Sequence, residues 1–377
     1  MQLIRRDSYG GKLKTKLLGL TLISALLISA CGSSSSTASS TATTAAGSSA
    51  TTSAAGQPST ATQLNFNADG TPNLKGLSFA IGNAAGSAHI GDTNVYDMVQ
   101  YLIKWGATAT QTNASKNAPE LAVASGSLDS ASGPLPTEVD AGLVVFGPNQ
   151  ARLDDVLLAK TSIATLSDLK GQKVAICCDA SPDGVLLTAV LQKANLTQSQ
   201  ITIQKTGASS ASLHALIAGQ VDAAFVHSNA VPTAGNGFHV LGVGATILPQ
   251  YADSFMAAES SWLNSHPAMA EAIDLAWLAS AKLFNTDEAS WIKAAAAYTK
   301  NADTTAQYKA AWTELQGIQG WPTAQSTVSS SVVSFNLNIA KQQSALKGPG
   351  LNPVSQLMDL TPWNSAWAQF SAHESAY

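Results

Sequence analysis

The chain has 377 residues, 12% of them charged, and a formal net charge of −4. Five basic residues and one acidic residue fall within residues 1–30, so the remainder is close to −8. Arg152 is the single arginine beyond that segment, which leaves no basic patch for a polyanion and excludes nucleic acid as an expected partner.

Arg5, Arg6, Lys12, Lys14 and Lys16 precede an apolar run, Leu17 to Leu27, too short to span a bilayer as a helix. The run ends Leu27-Ile28-Ser29-Ala30-Cys31. Small residues before a cysteine resemble the lipobox of bacterial lipoproteins. That resemblance implies removal of residues 1–30 as a signal peptide, lipidation of Cys31, and a protein exported and lipid-anchored to the cell membrane, facing the periplasm or the cell exterior. Ordinary secretion is the alternative. Residues 31–72 open with a Ser, Thr, Ala and Gly tract too poor in apolar surface to offset its ordering entropy, and are expected to form a flexible tether.

From Gln63 onward roughly 310 residues remain, enough for one large or two modest domains. Leu74-Lys75-Gly76 leads into a predicted strand, Leu77 to Ile81, followed by a glycine-bearing polar loop, Gly82 to Ser87. A helix is predicted from about Thr93, with Tyr96, Val99, Leu102 and Ile103 on one face, then a strand at Ala107 to Thr110 and a short helix from Asn117 to Ala124. Ser125-Gly126-Ser127-Leu128-Asp129 closes this unit. Gly142 to Gly147 and Val156 to Ala159 read as strands, the second carrying the chain into another unit.

That second unit repeats the plan. Leu169-Lys170-Gly171 leads into Val174 to Cys177, an unbroken apolar run of the kind buried on both faces of a sheet. Ser181 is placed to cap the next helix, with Pro182 and Asp183 in its first turn. Ile201 and Ile203 form a strand, Ser209 or Ser210 caps a helix that Gly219 ends, and Ala223 to Val226 is a third strand. Strands alternating with helices predict parallel sheet with right-handed crossovers and polar loops at the strand ends. Phe238 to Val243 and Ser254 to Ala258 read as further strands, the latter as the return crossing. Helices follow from Pro267, Asp287, Thr305 and Val328, and loosely at Trp363 to Phe370. The tryptophans at 262, 277, 291, 312 and 321 are expected in the core.

Adjacent Cys177 and Cys178 read as a small strand residue and a free thiol, with a strained vicinal disulfide as the alternative that export would permit. No cysteine pairs stand at zinc-ligand spacing, and no metal or other cofactor is expected. No nucleophile, metalloprotease or phosphate-loop motif occurs, so no catalytic residues are assigned.

Leu166-Ser167-Asp168-Leu169-Lys170-Gly171-Gln172-Lys173-Val174-Ala175, Leu216 to Phe225, His266-Pro267 and Asn352-Pro353-Val354 with Asp359 together resemble the solute-binding proteins of ABC importers, in the nitrate/sulfonate/taurine and thiamine-precursor group. The chain departs from that group after Ile176, where Cys178-Asp179-Ala180-Ser181 replaces glycine followed by Ser or Thr. The resemblance implies an α/β, two-lobed, type II periplasmic-binding-protein-like fold: two parallel or mixed sheets flanked by helices and joined by two hinge crossings. Lobe 1 is expected over 73–160 plus 254–377 with the C-terminal helices, and lobe 2 over 161–253. The implied function is capture of a small organic solute between the lobes by a monomer that delivers it to ABC permease subunits. The candidate ligand contacts are Asn83, Gly86, Ser87 and Ser132 in lobe 1 and Ser181, Asp183, Ser209, Ser210 and His227 in lobe 2. With Lys116 the only basic residue in these loops, a neutral or weakly charged solute is expected. A sensory or adhesive surface lipoprotein on the same fold is the alternative, and an enzyme the more distant one.

Overall fold

A computed structural model describes residues 63–377 except 85–87, 89, 115, 116 and 180. The signal segment, Cys31 and the tether to residue 62 lie outside the described residues, as do Gly86, Ser87 and Lys116. No helix among the described residues is long and apolar enough to cross a membrane.

Ten strands form two five-stranded sheets. The first contains β1 (Ser78–Asn83), β2 (Thr108–Asn113), β3 (Ser130–Gly133), β4 (Val144–Gln150) and β10 (Ser254–Ala258), in the order β2-β1-β3-β10-β4. The second contains β5 (Asp155–Lys160), β6 (Lys173–Ile176), β7 (Thr202–Lys205), β8 (Ala223–His227) and β9 (Phe238–Val243), in the order β7-β6-β8-β5-β9. The second sheet therefore takes in Asp155–Lys160, ahead of the boundary expected at 161. Likewise Ser254–Ala258 is an interior strand of the first sheet, and the return crossing lies just before it. Among the described residues the chain passes between lobes at 151–154 and 244–253, as the two-crossing plan requires.

The parallel expectation holds for β1, β2 and β3 and for β6, β7 and β8, and fails for β5 and β10, the strands by which the chain enters each lobe from a crossing. β10 runs antiparallel to both β3 and β4, and β5 antiparallel to both β8 and β9. A chain entering a lobe by a short crossing arrives from the cleft side, so it lies against strands that point toward the cleft.

The repeat between lobes has a physical basis. Asp129 Oδ2 accepts the Ala80 N–H at 2.7 Å, and Asp222 Oδ2 accepts the Lys173 N–H at 3.0 Å, each across 49 residues. Both carboxylates tie the entry of the third strand to the first strand of its lobe, and Lys160 adds a 2.6 Å ion pair to Asp222. In lobe 2 the unbroken apolar strands supply two cores. Leu157, Val174, Ile176 and Phe225 face one way, and Val156, Leu158, Ala175, Ala224 and Val226 the other.

Local expectations are corrected at three points. In α1 (Thr93–Lys104) the buried stripe is Val95, Met98, Val99 and Leu102, while Ile103 is 44% exposed. Ser181 occupies the N-cap of α4 (Pro182–Lys193) without a capping bond, because its hydroxyl donates to the Cys178 carbonyl at 2.7 Å. Ala208, not a serine, is the N-cap of α5 (Ser209–Ile217), and Ser209 Oγ instead accepts the His227 N–H at 3.0 Å. The C-terminal helices, chiefly Pro267–Thr286, Glu288–Tyr298, Thr305–Gly317, Ser330–Gln342 and Thr361–Ala372, join the first sheet in one core around Trp277, Trp291, Trp321 and Trp363, with Trp262 and Trp312 packed at its edge. The Ser330–Gln342 helix also reaches lobe 2: Phe335 and Ile339 pack there, and Asn336 holds both backbone groups of Ala252 in the return crossing.

Candidate functional site

The strand ends of the two lobes face each other across a cleft of about 680 Å³, within the range that holds small organic ligands. From lobe 1 come Asn83 at the end of β1, Ser132 and Gly133 on β3, and Asn149 and Gln150 on β4. From lobe 2 come Cys177, Cys178, Ser181 and Asp183 after β6, Ser209 at the start of α5 and His227 at the end of β8. The crossings contribute Asp154 and Asp253.

Asn149 organises the lobe 1 wall. Its side-chain amide donates to Ser132 Oγ at 2.5 Å and to Ser254 Oγ at 2.9 Å, while its backbone carbonyl accepts the Trp277 indole N–H at 3.0 Å. One side chain thus locks three adjacent strands, with the largest core residue behind it. Asn83 is buried, with its amide 3.5 Å from the Tyr298 hydroxyl, which also accepts from Gln111.

The lobe 2 wall is acidic. His227 Nδ1 lies 3.2 Å from Asp154 Oδ1 and 3.4 Å from Asp155 Oδ1. Asp183 Oδ2 accepts the Cys177 N–H at 2.7 Å, so it serves the strand-end loop rather than its own helix. Burial raises Asp155 well above the carboxylate range, and Asp183 beside it adds to the effect. Asp183 is raised mainly by burial. Burial also pushes Asp253 to about 8, reinforced by Asp154. Burial disfavours charge on His227, but Asp154 and Asp155 prevail and hold its pKa well above the usual value. The Asp154, Asp155 and His227 donor atoms all lie within 4.8 Å of one another, a span that a divalent cation could bridge.

Cys177 and Cys178 are separate thiols with sulfurs 3.6 Å apart. The Cys177 S–H donates to Cys178, lowering the Cys178 thiol to about 6 and raising that of Cys177.

Residues 151–286 match the family model described as NMT1/THI5 like. No curated protein matches by sequence. Many solved structures are similar, three of them as follows. The ligand-binding component of an ABC-type import system from Staphylococcus aureus, with zinc bound, has a TM-score of 0.62 at 12% identity, over 77% of this chain and 98% of its own. The alkanesulfonate-binding protein SsuA from Xanthomonas axonopodis pv. citri, bound to MOPS, has a TM-score of 0.58 at 19% identity, over 76% and 99%. The periplasmic nitrate-binding protein NrtA from Synechocystis PCC 6803 has a TM-score of 0.58 at 9% identity, over 79% and 90%. The fold is that of a two-lobed periplasmic binding protein. The family model covers the second lobe together with β10 and the Pro267–Thr286 helix, and the solved neighbours share the fold over most of the chain.

Within this binding-protein fold, Asn83, Ser132, Ser181, Asp183, Ser209 and His227 all line the cleft. Ser210 does not: it is exposed on the second residue of α5, turned away from the cavity lining. Sequence reasoning missed Asn149, Asp154, Asp155 and Asp253. A signal for the acids was present, since Asp154-Asp155 and Asp253 stand directly before two buried strands, where a charge belongs only if the strand begins at a polar cavity. Asn149 carried no such signal, because its role depends on strand neighbours that are remote in sequence.

Proposed function

We propose that the protein is the extracytoplasmic solute-binding component of an ABC importer, which captures a small organic solute between its lobes and delivers it to the permease. The observation that carries this is the cleft itself, about 680 Å³ in volume and walled by strand ends of two sheets connected by only two crossings. Two lobes hinged in this way can close on a ligand and present the permease with a surface that the open form lacks. Anchoring through Cys31, a tether that ends before the Phe66–Pro72 bridge rather than at residue 72, and monomeric action belong to the same proposal. So do ligand contacts from Asn83, Ser132, Ser181, Asp183, Ser209 and His227, and from Gly86 and Ser87 in the loop after β1.

A thermal-shift screen of the purified chain against small organic nutrients tests it. A solute at a hundredfold excess over its Kd stabilises the folded state by about 2.7 kcal/mol, and cells lacking the chain should then fail to take up that solute. A full screen without a single stabilising solute, or undiminished uptake in the deletion strain, contradicts the proposal.

A further inference from the structure

Among the described residues, six aspartates line the cleft, at 92, 140, 154, 155, 183 and 253, and two basic side chains, His227 and Lys347. Lys347 lies at the opposite end, where its backbone N–H donates to Asp140 Oδ1 at 2.7 Å and its side chain faces the same carboxylate. Asp154, Asp155, Asp183 and Asp253 all face His227. Asp155 is the decisive member. It is 1% exposed and lines the cavity, and neither of its carboxylate oxygens has a hydrogen-bond partner among the described residues, its one ion-pair contact there being His227 Nδ1 at 3.4 Å. A buried carboxylate without hydrogen bonds destabilises the protein that carries it, unless a ligand completes the site.

From this geometry we infer that the solute carries a positively charged organic group, an ammonium, amidinium or guanidinium, which docks against Asp155 with Asp154, Asp183 and Asp253 around it. The inference rests on the cleft being a solute site and names the chemistry of its occupant. An organic cation fits better than a bare metal ion, because the cavity is far larger than one ion, and Leu121, Pro134, Pro136 and Pro182 supply apolar wall for a hydrocarbon body. The cleft thus departs from those of the similar structures described as binding an alkanesulfonate and nitrate, which are anions. It also sharpens the neutral or weakly charged solute expected from sequence. That expectation counted missing lysines and arginines in the loops, and could not see the aspartates converge.

The test compares solutes by calorimetry on the full chain. The cations are choline, agmatine, spermidine and lysine. The neutral control is 3,3-dimethyl-1-butanol, an isostere of choline. Butanesulfonate and nitrate serve as anions, and zinc chloride as the metal. Binding confined to cations, and weakened about 30-fold or more in Asp155→Asn, supports the inference. Binding confined to neutral compounds or anions overturns it while leaving a solute-binding protein. Binding of zinc alone overturns it in favour of a metal site. Silence across every class overturns the solute-binding function as well. Asp155→Asn also gives a ligand-free readout. Removing a buried carboxylate that has no hydrogen bond and shares His227 with other acids should raise the melting temperature of the unliganded chain by about 2 °C or more. A fall would mark Asp155 as a structural partner of His227 and overturn the inference.

Discussion

Gly184 shows how closely the lobe 2 wall depends on local packing. It is the third residue of α4, and a Cβ there would stand 2.2 Å from the Asp179 carbonyl oxygen and 2.8 Å from its carbon. Cβ atoms essentially never come within 3.0 Å of another heavy atom, so Gly184→Ala demands a shift of about 0.8 Å. The helix cannot easily retreat, because the Gly184 carbonyl accepts from Thr188 Oγ1 at 3.0 Å and from Gln343 Nε2 at 3.4 Å. The loop from Cys177 to Ser181 must move instead. Two effects oppose each other. Alanine in place of glycine stabilises a helix by about 0.5–1 kcal/mol, whereas overpacking against backbone costs about 1–3 kcal/mol. The second prevails, and the melting temperature should fall by about 2–5 °C. Calorimetric melting of wild type and Gly184→Ala reads the shift, and alkylation of Cys178 reports the displaced loop. A variant as stable as wild type or more so, with unchanged Cys178 reactivity, would refute the packing argument.

Cys178, with its thiol lowered to about 6, should react with iodoacetamide at a rate that is half-maximal near pH 6, and Cys178→Ser should remove this fast phase; a midpoint near 9 would contradict it. Asn336→Ala leaves the buried N–H and carbonyl of Ala252 without their side-chain partner, at a cost of about 1–3 kcal/mol for each group, measured by denaturant unfolding; a change under about 0.5 kcal/mol would count against a role in fixing the return crossing. The acidic wall predicts a pH dependence. A carboxylate raised in the fold binds its proton more tightly there than in the unfolded chain, so its contribution to stability is greatest at low pH and is lost as pH rises to the folded pKa. For Asp253 that window runs from 3.8 to about 8. Asp155 and Asp183 act in the same direction, as does Glu314 on the Thr305–Gly317 helix, pushed to about 7 by burial and by Asp154. Asp92 and Asp154 face Asp253 with like charge, and His227 opposes them. His227, itself raised, contributes stability in full below its unfolded value of 6.5 and loses it as pH rises from there to its folded pKa. The melting temperature of the unliganded chain should therefore decline between pH 5 and pH 8, and Asp253→Asn should flatten the decline. A rise over that range would contradict the charge assignment.

The architecture was legible where it follows from a period or a punctuating residue. Unbroken apolar strands such as Val174 to Ile176 announced a sheet buried on both faces, and two such units behind Lys-Gly pairs announced two lobes. The matched aspartates, Asp129 and Asp222, were visible as end marks, and the structure gives them the work of holding the entry of each third strand. Strand direction next to the crossings was not legible, because nothing in Ser254 to Ala258 records which neighbours it meets. Capping misled for a related reason. Ser181 and Ser209 sit where caps belong, but their hydroxyls found partners set by the tertiary fold, the Cys178 carbonyl and the His227 N–H. The charge of the cleft was hidden in the same way, since Asp154-Asp155, Asp183, His227 and Asp253 converge only once both crossings and two strand ends are in place.

The most direct measurement is isothermal titration of the full chain with the solute that stabilises it most in the thermal screen. One cationic solute per chain, with binding lost in Asp155→Asn and retained in Ser210→Ala outside the cleft, is the predicted result. No saturable binding, or binding unaffected by Asp155→Asn, would contradict the assignment of this cleft as the site of solute capture.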